Sequence, residues 1–305
     1  MEATSLVRVG RDAHSFVALF LDGRTDTTVR AYQSDLADFA RWAHVEVADA
    51  MTLLLGSGAG AANETVMRYR NDLSRTKKPN TVNRRIATLR SIVAFARTIG
   101  LIDWQLAVRG VKSEVYRDTR GPGVAFIRRM IHTLEARGDA KSIRDRAIVR
   151  LLFDCALRRA EVVSLDVEHI DLEGQRLSVL RKGRAEREAI GLPEPTWRVL
   201  KDWLALRGSA AGPLFTNFDR AGKGERLTAG SLYRLVRRLG SDLGRRVRPH
   251  ALRHTAITAA LEATGGDVRS VAKFSSHRSI QTVLRYDDER RDVGGEVARL
   301  VADSI

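Results

Sequence analysis

Pro249-His250-Ala251-Leu252-Arg253-His254-Thr255 is followed by Ser276-His277 and, nine residues after that histidine, by Tyr286. These residues decide how the rest of the chain is read. Arg253 lies one helical turn after His250. Upstream, Arg158 stands in Ala156-Leu157-Arg158-Arg159-Ala160-Glu161, and Lys182 in Arg181-Lys182-Gly183-Arg184. The set supplies two guanidinium groups, two imidazoles, one ammonium and one phenol. Guanidinium is planar, always charged and bidentate toward phosphate oxygens. Two of them from distant segments can stabilise charge growing on one phosphate. An ammonium whose pKa responds to its surroundings can protonate a leaving oxygen. A phenol of pKa about 10 attacks phosphorus only with cations and a base beside it. Taken singly, each residue has an ordinary reading: a surface arginine, a turn lysine, a helix-capping histidine, a core tyrosine. Only the joint pattern lifts them above it.

His250 and His254 are four residues apart, as paired zinc ligands are, but Ala251 stands where the zinc-protease pattern needs glutamate. No cysteine cluster or acidic third ligand accompanies them, so the expectation is chemistry without a metal.

The composition agrees with a polyanionic partner. Over 305 residues, Lys plus Arg is 52 and Asp plus Glu is 37, a net charge of +15. A surplus of that size favours nucleic acid or an anionic membrane. The single cysteine, Cys155, sits in an apolar run, so no disulfide framework is possible. No stretch approaches the roughly 18 apolar residues of a membrane helix, and the N-terminus lacks a signal-peptide pattern. We therefore expect a cytoplasmic protein without a membrane partner.

The first hundred residues read as helices. Thr25 can cap one carrying Val29, Tyr32, Leu36, Phe39 and Trp42 on its apolar face, and Asn80 can cap another with Val82, Ile86, Leu89 and Ile92. A shorter helix is expected around Val66, Tyr69 and Leu73, after a flexible loop at Gly56–Gly60. Residues 75–90 carry charge of nearly one sign. Lys112–Gly123 reads as a linker. Beyond it come helices, a small hairpin or three-stranded sheet over about 170–192, and helices again to near Tyr286. Asp287–Asp292 reads as extended, Val293-Gly294-Gly295 as a hinge, and Val297, Leu300, Val301 and Ile305 as the stripe of a last short helix. Domain bounds are 1–112, a linker at 113–123, and 124–305 with a tail at 293–305.

At this point the chain resembles the tyrosine recombinase (phage integrase) family, of the Xer or transposon type. Pro249–Thr255 is similar to the family's His-x-Leu-Arg-His-Thr box, Ser276-His277 through Tyr286 to its Gly-His…Tyr box, and Leu157–Glu161 to its first arginine box. Arg181-Lys182-Gly183-Arg184 is similar to its β-hairpin lysine motif. Thr28–Tyr32 and Thr81–Arg85 match its DNA-binding helical domain. The likeness runs from about residue 12 to the end, with alanine at 156 and serine at 276 where the family usually has glycine.

The resemblance implies a mainly α fold with a small antiparallel β-sheet: an N-terminal helical, SAM-like core-binding domain and an α+β catalytic domain, closing as a C-shaped clamp on duplex DNA. It implies that Tyr286 attacks a scissile phosphate held by Arg158, Arg253, His250 and His277, with Lys182 as general acid and Glu161 bracing Arg158. A 3′-phosphotyrosyl link and a Holliday junction follow, and the resemblance implies no nucleotide cofactor or metal. Arg68, Lys77, Lys78, Arg84, Arg85, Arg181 and Arg184 are expected on the DNA. The implied partners are a specific recombination site and three further copies of the chain on two such sites, with free protomers monomeric or weakly associated. A second recombinase or an accessory DNA-bending protein fits the same picture, and the setting is the nucleoid. Type IB topoisomerases use similar chemistry on one duplex, but the small N-terminal domain and short C-terminal extension favour recombination.

Overall fold

The computed structural model describes residues 13–112, 121–219, 222–277, 279–290 and 293–304. It divides into two compact units, Met1–Tyr116 and Arg117–Ile305. Residues 113–120 of the expected linker lie outside the described residues.

The first unit is helical throughout: α1 over 13–21, α2 Asp26–Trp42, α3 Val47–Gly56, α4 Gly58–Thr76 and α5 Pro79–Thr98. The apolar faces read from the sequence form its core, where Leu36, Phe39, Tyr69, Ile86, Leu89 and Ile92 are all buried. Three expectations change. The Gly56–Gly60 loop shrinks to Ser57, because Gly58 takes φ +76° and lets α4 start at once. The helix around Tyr69 is accordingly 19 residues long rather than short. And α5 begins at Pro79, not after Asn80; proline's fixed φ suits the first helical position, where its missing N–H is no loss.

The charge on α5 is also not what its sequence suggests. The matching acids come from α2. Arg84 pairs with Asp35 at 2.6 Å and Arg85 with Asp38 at 2.6 Å. Tyr69 donates to the same Asp38 at 2.8 Å. This network ties α2, α4 and α5 together.

In the second unit, α6 (Val124–Arg137) and α7 (Ala140–Asp154) form a hairpin. Asp139 caps α7 by accepting from the Ser142 N–H at 3.0 Å. The Ala147–Leu152 run puts five apolar side chains into the core. There they meet α9 (Glu194–Arg207), α10 (Ala229–Asp242) and a three-stranded antiparallel sheet. The sheet is β1 Ile170–Asp171, β2 Arg176–Leu180 and β3 Arg187–Gly191 in that order. Leu177 and Val179 alternate with less buried neighbours and supply its buried face.

The other α-helices of this unit are α8 (Arg159–Val163), α11 (Pro249–Ala263), α12 (Val268–Phe274), α13 (Ile280–Arg290) and α14 (Val293–Ala302). Here the expected extended segment after Tyr286 is corrected: α13 continues to Arg290. No glycine or proline interrupts residues 280–290, and the glutamine, leucine, arginines and glutamate among them are good helix formers. The expected hinge at Val293–Gly295 is instead the start of α14. A separate small cluster of Ile257, Leu261, Val271, Ala272, Val283 and Tyr286 packs α11, α12 and α13 together.

Candidate active site

Helix α7 ends at Asp154, and two residues later the chain must reverse to start α8. Ala156 makes that reversal with φ +47°, a left-handed conformation costing a non-glycine residue roughly 1–2 kcal/mol. Ser276, after α12, does the same with φ +47°. These are the two positions where the sequence departs from the family's glycine. Each turn aims a carbonyl at an arginine. Ala156 O accepts from Arg253 Nη1, and Ser276 O accepts from Arg158 Nη2 at 3.2 Å. Ser275 O accepts from Arg253 Nη2. The strained turns thus hold the two guanidiniums that the sequence singled out.

Arg253 is 1% exposed. Burial, with Arg158 beside it, pulls its pKa down to about 10, still cationic at neutral pH. Arg158 caps α8 and is braced twice by Glu161. Its Nη1 donates to Oε1 at 2.8 Å and its backbone N–H to Oε2 at 2.9 Å.

His277 joins the pair through a hydrogen-bond chain that fixes its tautomer. Ser275 Oγ has one hydrogen, donated to Val271 O at 2.7 Å. The same oxygen must therefore accept from Nδ1–H of His277, 2.8 Å away. Nε2 is left to accept from Arg253 Nη2 at 3.3 Å. Burial first, then the charges of Arg253 and Arg158, push the imidazole pKa down to about 4. The free protein therefore keeps His277 neutral near pH 7.

The sign for stability follows from a folded pKa below the usual value of about 6.5. As pH falls through 6.5 toward 4, the unfolded chain takes up the proton first, and the contribution of His277 is lost in that window. Replacing His277 by asparagine is expected to flatten the decline of the urea midpoint between pH 6.5 and 4. Parallel declines in the two proteins would contradict it.

Tyr286 is 5% exposed. Its ring lies 6.3 Å from that of His277 and meets His254 edge-on at 5.2 Å. His254 in turn meets His250 edge-on at 4.2 Å. Three imidazoles thus lead from the phenol to Arg253's helix face. Beside them Arg158, Arg159, Tyr233, Arg248, His250 and Arg253 line a cleft of about 360 Å³. Sequence reasoning missed Arg159, Arg248, Tyr233 and the ring contact of His254. The first two were within reach, as cations flanking Arg158 and His250. Tyr233 comes from α10, and nothing in its own segment marks it.

Lys182 stands apart, exposed in the turn between β2 and β3. Among the described residues it has no hydrogen bond or ion pair. Arg184 is exposed in the same turn, with its N–H on Arg181 O at 3.0 Å. Arg181, expected on the DNA, is corrected: its side chain is 2% exposed and faces Glu161 and Glu188. Of the other expected DNA contacts, Arg68 is exposed but paired with Glu64 at 2.6 Å. Lys77 and Lys78 are exposed between α4 and α5, and Arg84 is half-exposed on Asp35. Arg85 is corrected too, since at 12% exposure its guanidinium is spent on Asp38 inside the unit. Among the described residues no three His, Cys, Asp or Glu side chains cluster as metal ligands do, and no helix is long and apolar enough to cross a membrane.

Residues 125–292 match the model of the phage integrase family. The chain is 38% identical to a tyrosine recombinase of Synechococcus elongatus, covering 93% of this chain and 91% of that one. The chain belongs to the phage integrase family. It is also 37% identical to a tyrosine recombinase of Synechocystis, over 94% of both chains. The structure of the Tn1549 transposon integrase in complex with transposon right end DNA superposes with a TM-score of 0.67 at 15% identity, covering 96% of this chain and 99% of that one. The fold is therefore that of tyrosine recombinases, the activity is site-specific DNA breaking and rejoining, and the partner is DNA.

Proposed function

We propose that Tyr286 is the nucleophile of this recombinase and that the cleft beside it receives the scissile phosphate. One observation carries this reading: Arg158 and Arg253 donate to the consecutive carbonyls of Ser276 and Ser275, Arg253 also meets Nε2 of His277, and the Tyr286 ring lies 6.3 Å from that of His277. Arg158 and Arg253 hold the non-bridging oxygens and stabilise the charge that builds there. The phenol attacks phosphorus and gives up its proton toward the imidazoles beside it, with His250 as base or phosphate donor. The 5′ oxygen leaves with a proton from Lys182, and a 3′-phosphotyrosyl bond remains. A 5′-hydroxyl from the partner duplex reverses the step, and two rounds pass through a Holliday junction.

His277 changes role on binding. A phosphodiester offsets the two guanidinium charges that keep its pKa low, so Nε2 can take up a proton and donate to a phosphate oxygen.

Residues 1–112 serve as the core-binding domain on the duplex, with Arg68, Lys77, Lys78 and Arg84 as its cations. Residues 124–305 form the catalytic domain, and Arg184 adds a phosphate contact from the hairpin turn. Four protomers act on two sites in the nucleoid, linked through the tail at 293–305, and an accessory DNA-bending protein or a second recombinase can join them.

The test uses a duplex carrying the protein's bound site, selected from random sequence and nicked so that cleavage cannot reverse. A covalent adduct on the 3′ phosphate, mapped to Tyr286 by peptide mass, is expected. An adduct on another residue, or none, overturns the assignment.

A further inference from the structure

Arg181 precedes Lys182 in the hairpin turn, yet its side chain points the other way, into the interior. Its Nη1 lies 3.3 Å from Glu161 Oε2 and its Nε 3.5 Å from Glu188 Oε2. Glu161 is the carboxylate that holds Arg158 at 2.8 Å. Glu188 is on β3, opposite Val179 of β2. One buried guanidinium therefore joins the far strand of the hairpin to the first turn of α8. A cation this buried is costly unless paired on several sides, and here its pairing ties two pieces of the site together.

Lys182 needs such help. It sits on a long flexible stem with nothing holding its ammonium among the described residues, so its reach depends on where the turn is placed. We propose that Arg181 is a positioning residue: by gripping Glu161 and Glu188 it registers the hairpin turn against Arg158, so that Lys182 meets the leaving oxygen of the phosphate that Arg158 holds. This rests on Lys182 being the general acid. One carboxylate, Glu161, then sets both the clamp and the acid.

The experiment uses the full chain and the nicked duplex described above, with oxygen or sulfur as the 5′ bridging atom. A thiolate leaves without protonation, so sulfur makes the acid dispensable. Arg181→Met is expected to slow cleavage about 10- to 100-fold with oxygen and to recover to within about threefold of the unsubstituted protein with sulfur. Lys182→Ala should show the same pattern more strongly, and the double substitution should be no slower than Lys182→Ala alone. Arg181→Met should leave the salt dependence of binding unchanged, whereas losing a phosphate contact lowers its slope by about 1. Equal defects on both substrates, with Lys182→Ala rescued, would overturn the proposal, as would the lower slope. If sulfur fails to rescue Lys182→Ala itself, the acid assignment falls and this proposal with it. Glu188→Gln cuts one arm and spares the buried contact with Glu161, so it guards against a folding defect. It is expected to give a weaker version of the oxygen-specific loss, and an unchanged oxygen-to-sulfur ratio overturns the proposal.

Discussion

Tyr286→Phe is expected to bind its duplex as tightly as the unsubstituted protein and to form no covalent adduct, a loss of at least about 10⁴-fold in cleavage. Phenylalanine keeps the ring that packs with Val283, Val271 and the His254 edge, so α13 should stay in place. Only the hydroxyl is gone, and with it the atom that bonds phosphorus. Denaturing electrophoresis on the nicked duplex reads the adduct, and filter binding reads the affinity. An adduct in the variant would mean that another side chain attacks. Lost binding would mean that the hydroxyl helps hold the duplex, so that a missing adduct would no longer identify the nucleophile.

The two arginines should fail in different ways, although their chemistry is the same. Arg253→Ala removes a fully buried group and orphans the carbonyls of Ala156 and Ser275 together with His277. Unmet buried acceptors and the cavity left behind are expected to cost about 3 kcal/mol or more of folding stability. Arg158→Ala removes a half-buried group whose carboxylate partner keeps the Arg158 N–H and Arg181, so its stability cost should be about 1 kcal/mol. Its cleavage rate should still fall about 10²- to 10³-fold, the usual loss of one preorganised charge donor. Urea unfolding and single-turnover cleavage of both variants separate the effects. If Arg158→Ala unfolds as easily as Arg253→Ala, its role is architectural. If it cleaves at the normal rate, it is not in the clamp.

The local features were legible where a residue's neighbours in sequence are also its neighbours in space. Leu36, Phe39, Ile86 and Leu89 declared their helices by spacing, and Leu177 and Val179 declared a strand. The motif residues were found because each brings recognisable company. What the sequence concealed are partnerships across elements. Arg85 looks like a free surface cation until Asp38 arrives from α2, and Arg181 looks like a DNA contact until Glu161 arrives from α8. Nothing local to Arg181 shows which way its side chain turns. Likewise the serine at 276 reads as a modest departure from glycine. Only the backbone shows that it is held left-handed and that its carbonyl is in use.

The satellite cluster has a mechanical meaning. Tyr286 is anchored among Ile257, Leu261, Val271, Ala272 and Val283, apart from the large core built on α7, α9 and α10. Arg158 and Arg253, by contrast, directly follow Leu157 and Leu252 of that large core. Local opening costs only the packing that it breaks. Tyr286 therefore sits on a smaller packed piece than the two arginines do, and shifting it breaks less packing. A shift of α13 would thus move the phenol while Leu157 and Leu252 keep both arginines packed.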